Sequence, residues 1–124
     1  MPRINILIKY KSLLVDFCNE LSEQFPHEGD FRIAKIILSS SQIPTEKLMT
    51  NFLNNLTPDI REKIKNRDIE FLHTGNPFSF IADSRFAKFT DLILGGTVSD
   101  EDKDIIWQWI EALVKTADKY LTTL

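Results

Sequence analysis

The residue types that do chemistry are few in this chain, and they are scattered. There are two histidines, His27 and His73, and one cysteine, Cys18. A structural zinc site needs four ligands, usually cysteine and histidine, at turn or helix spacing. The nearest approach to such a cluster is His27-Glu28 with Asp30, in one polar turn after Pro26. A turn histidine flanked by carboxylates reads more simply as solvated surface, so no metal site is assigned. A cysteine nucleophile needs a histidine beside it in space. Cys18 falls on the apolar side of a helical pattern instead, where a thiol is a small buried side chain. His73 falls where a helix ends, a place the helix dipole favours for a cation.

No Gly-x-Ser-x-Gly elbow, phosphate-binding glycine loop or His-Glu-x-x-His pair occurs. Gly95-Gly96-Thr97 lacks the lysine and outer glycine of a phosphate loop. Carboxylates such as Asp83, Asp91 and Asp104 are spaced like solvent-facing residues rather than isolated in apolar runs, where a raised pKa would suit an acid catalyst. No catalytic residue and no cofactor is assigned, and the chain reads as a non-enzyme.

Two other groups of residues point to binding. Arg61, Lys63, Lys65 and Arg67 form the densest basic cluster, interleaved with Asp59, Glu62, Asp68 and Glu70. Read simply, it is a solvated helix face. Its functional alternative is a patch for nucleic acid or an acidic partner. A sequence-independent nucleic-acid binder is usually basic. This chain carries 15 Lys plus Arg against 18 Asp plus Glu, a net charge of -3, which disfavours that class. Trp107 and Trp109 form the second group. Two positions on a helix are about 200° apart, so both rings cannot enter one narrow core. Either the helix is covered on two sides, or Trp107 and Val114 stand exposed as a contact patch. Tryptophan is enriched in interface hot spots. The partner-binding residues expected on this reading are Trp107, Ile110 and Val114, with Phe78 and Phe80 as a second apolar edge.

The elements that must position these residues follow from periodicity. The chain has 124 residues, is 43% hydrophobic and 27% charged, and has a mean hydropathy of -0.15. That is one ordinary globular domain, able to bury a core without staples. The single cysteine excludes an internal disulfide. No run approaches the ~20 apolar residues of a membrane span. Residues 4–8 are too short for a secretory leader, so an intracellular setting is expected.

The first helix spans about Ile4 to Phe25, with Leu7, Tyr10, Leu14, Phe17, Leu21 and Phe25 on one face, widened by Leu13 and Cys18. Residues 31–39 are dense in apolar side chains and fit a helix capped by Asp30 or a short buried strand. A third helix opens at Pro44 or Thr45 and buries Leu48, Phe52, Leu53 and Leu56. Thr57-Pro58-Asp59 starts a fourth, with threonine as N-cap and proline at N1. Gly75-Asn76-Pro77 is a strong break. An aromatic-rich segment from Phe78 to Leu94 becomes helical near Ser84 and ends at Gly95-Gly96. Ser99 caps the last helix, with Asp100, Glu101 and Asp102 in its first turn. Its stripe is Ile106, Trp109, Ile110, Leu113, Ala117, Tyr120, Leu121 and Leu124. The expected architecture is all-α, a single compact bundle of five to seven helices over residues 1–124.

One resemblance accompanies this reading. It rests on Tyr10-Lys11-Ser12-Leu13-Leu14, on Phe25-Pro26 and on the run from Ile64 to Leu72. It rests also on Asp102-Lys103-Asp104-Ile105-Ile106-Trp107-Gln108-Trp109-Ile110-Glu111-Ala112-Leu113, followed by Ala117 and Tyr120. This order resembles small helical proteins of unknown function encoded by giant nucleocytoplasmic large DNA viruses, in which a Trp-containing helix closes the domain. Trp109 stands where that family has tyrosine, and Ile110 where it has leucine. The family has no established activity, so the resemblance implies only a viral setting and a virion-associated or host-interacting role. The expected function is therefore protein interaction or assembly, with a protein partner or a second copy. Accessory nucleic-acid binding through residues 61–67 is the alternative.

Overall fold

The computed structural model describes residues 2–27, 29–39, 44–68, 90–91 and 98–123. Among them are five α-helices: α1 (Arg3–Gln24), α2 (Gly29–Ser39), α3 (Thr45–Asn55), α4 (Pro58–Lys65) and α5 (Asp100–Leu121). No strand occurs among the described residues. His73, Phe78, Phe80, the Gly75-Asn76-Pro77 break, the aromatic segment and the Gly95-Gly96 cap lie outside them.

Local rules set most helix ends. Thr57 Oγ1 accepts the Ile60 N–H at 3.2 Å, and Pro58 occupies N1. Ser99 Oγ accepts the Asp102 N–H at 3.1 Å, above three acids in the first turn. Each cap satisfies a donor that the helix itself leaves free. After α1 the chain reaches Pro26, which has no N–H to continue the ladder. Residues 31–39 form helix, not the alternative strand, and Asp30 falls one residue inside α2 rather than at its cap.

The core is the side that α1 and α5 share. Tyr10, Leu14, Phe17, Cys18 and Leu21 of α1 are buried, as are Ile106, Ile110, Leu113, Ala117 and Tyr120 of α5. The two helices run antiparallel. Arg3 Nη2 donates to the Thr123 carbonyl at 2.8 Å, and Phe17 stacks on Trp109 with centroids 5.9 Å apart. α2 folds back along α1, with Phe25 against Phe31 and Lys35 Nζ donating to Asn19 Oδ1 at 2.8 Å. α3 adds Leu48, Met49 and Phe52, the last packed on Tyr10. Met49 is wholly buried although the expected α3 face did not include it. Leu121, expected in the α5 stripe, is 45% exposed: on the helical wheel it falls toward the Trp107 and Val114 flank, off the buried centre of the stripe.

Candidate functional site

α4 runs antiparallel along α5, and charge joins them. Asp104, Glu111 and Asp118 recur every seven residues on α5. An ideal helix drifts only ~20° per heptad, so the three carboxylates form one stripe. Arg61 Nη1 reaches Asp118 Oδ1 at 2.9 Å, and its Nε donates to the Leu56 carbonyl. Arg67 Nη1 bonds Asp104, and its Nη2 bonds Glu111 Oε1 at 2.9 Å. Lys63 pairs within its own helix with Asp59, four residues earlier, at 3.3 Å. Lys65 is exposed. Three of the four basic residues singled out from the sequence therefore have carboxylate partners inside the fold.

Arg67 reaches its two partners from an uncommon backbone. Its φ is 51°, in the left-handed region. The Arg67 N–H donates to the Ile64 carbonyl at 3.0 Å, and the Asp68 N–H to the Lys63 carbonyl at 2.8 Å. This is a Schellman ending with arginine at the position glycine usually takes. Hydrogen bonds from Arg67 and Gln108 hold the Asp104 carboxyl below the usual carboxylate range.

The same seam accounts for the tryptophans. On the helical wheel Trp107 and Val114 lie between the core side of α5 and its acidic stripe. Both are half-buried and packed against the core. Trp109 lies on the other flank, stacked on Phe17. α5 is thus covered by α1 on one side and α4 on the other, and each indole is partly enclosed. Ile110 is 3% exposed and belongs to the core, so it cannot be a direct contact for a partner. Phe78 and Phe80 lie outside the described residues.

The exposed apolar surface lies elsewhere. Ile4 and Ile8 of α1 are 66% and 62% exposed, and Ile36 of α2 is 61% exposed, with Ile33 beside it. Ile4, Leu7, Ile8 and Val15 line an apolar groove between α1 and the start of α3, where Pro44, Thr45 and Glu46 form the other wall. A second, more polar groove lies between α1 and α2, lined by Asn19, Ser22, Arg32, Lys35, Ile36 and Ser39. The sequence pattern carried a signal for the first groove. Ile4 and Ile8 are one helical turn apart and fall outside the core stripe of α1.

His27 is exposed in the turn after α1. Burial pushes the Cys18 thiol up to about 12, so it is neutral at physiological pH. Among the described residues no group of three histidine, cysteine or acidic side chains is placed to hold a metal ion, and no helix is long and apolar enough to cross a membrane. No protein-family model, curated protein or solved structure matches the chain.

Proposed function

We propose that this is a non-enzymatic helical protein of interaction or assembly, folded as a single compact bundle. The observation that carries this reading is the set of isoleucines left in water on the outer sides of α1 and α2. Large aliphatic side chains gathered along a groove mark a contact surface more often than scattered ones do. Its setting is viral, virion-associated or host-interacting, on the resemblance of the Trp107 helix and the segments before it. The contact surface moves from the Trp107 helix to the α1 groove. Trp107 and Val114 are half-buried against the core, whereas Ile4 and Ile8 face solvent.

The test is recovery of the tagged full chain from lysate of its source, with and without nuclease. The expected outcome is a protein partner, or a second copy, retained after nuclease and lost with Ile8→Asp. Retention that collapses on nuclease treatment overturns this reading in favour of nucleic acid. Trp107→Ala is run beside it, with its melting temperature, and is expected to lower stability more than binding.

A further inference from the structure

We draw no further inference here: the strongest candidate, the surface patch of exposed isoleucines Ile4, Ile8 and Ile36 along the two grooves beside α1, is an unpartnered apolar face, and nothing in the structure shows what covers it.

Discussion

With a φ of 51°, Arg67 holds a backbone conformation that ordinarily falls to glycine. The fold tolerates it because the same turn aims a planar five-donor fork at two carboxylates of α5. Three substitutions separate these effects. Arg67→Ala keeps the strained backbone and loses both ion pairs. Arg67→Gly loses the pairs and relieves the strain. Arg67→Lys keeps a charge without the fork. The expected order of melting temperature is wild type, then Lys, then Gly, then Ala, and added salt narrows the spread. The pairing also has a pH signature. Asp104 titrates below its ordinary 3.8 in the fold. Its contribution is therefore present above that value and lost as pH falls through the lower folded one. Arg67→Ala is expected to flatten this acid limb in pH-dependent thermal melts. Cys18 gives the opposite limb. Its thiol titrates near 12 in the fold against 9.0 unfolded. Between those values the unfolded chain loses the proton and the folded chain keeps it, so stability falls as pH rises. Cys18→Ala is expected to lessen that alkaline loss, and a thiol reagent at pH 8 to label Cys18 only after unfolding.

Among the elements, α5 is asked to do most. It presents one side to α1, an acidic stripe to α4, and an indole to each flank. Its first turn is fastened by Ser99 alone among the side-chain caps described for it. Ser99→Ala is expected to cost about 1 kcal/mol, and Ser99→Asp to be nearly neutral, read from urea midpoints at constant slope. Thr57→Ala tests the same device on α4, at a similar ~1 kcal/mol. These caps were legible in the sequence because they are local: the side chain, its acceptor geometry and its N–H partner lie within four residues. So were the core stripes of α1 and α5, since a 3.6-residue period needs no knowledge of the partner helix.

For the molecule as a whole, the centre is where α1, α3 and α5 meet. Leu14, Met49 and Leu113 are almost fully enclosed there. Leu113→Ala is expected to cost ~2–5 kcal/mol, and Met49→Leu less than ~1.5 kcal/mol, in chemical denaturation. An unchanged midpoint for Leu113→Ala would contradict this packing. On the function proposed above, the outer side of the same α1 helix is the contact surface, and the two readouts separate: Leu113→Ala is expected to lower stability, and Ile8→Asp, at a side chain already exposed, to leave it nearly unchanged.

By itself the sequence determined the helical character of the described chain, four of its helix starts to within a residue, and the inward stripes of its two longest helices. These follow from periodicity, proline placement and capping, all of which act over a few residues. Tertiary structure alone decided which of two apolar sides on a helix is covered. It buried Ile110 in the core and half-buried Trp107 at its edge. It left Ile4, Ile8 and Ile36 exposed, on sides of α1 and α2 away from the buried stripe that the described helices share. It also joined two arginines of the basic cluster to the acidic stripe of α5. Arg61 and Arg67 meet carboxylates 57 and 44 positions away in the chain. No local rule links residues at that separation; only the packing of one helix on another brings them within reach.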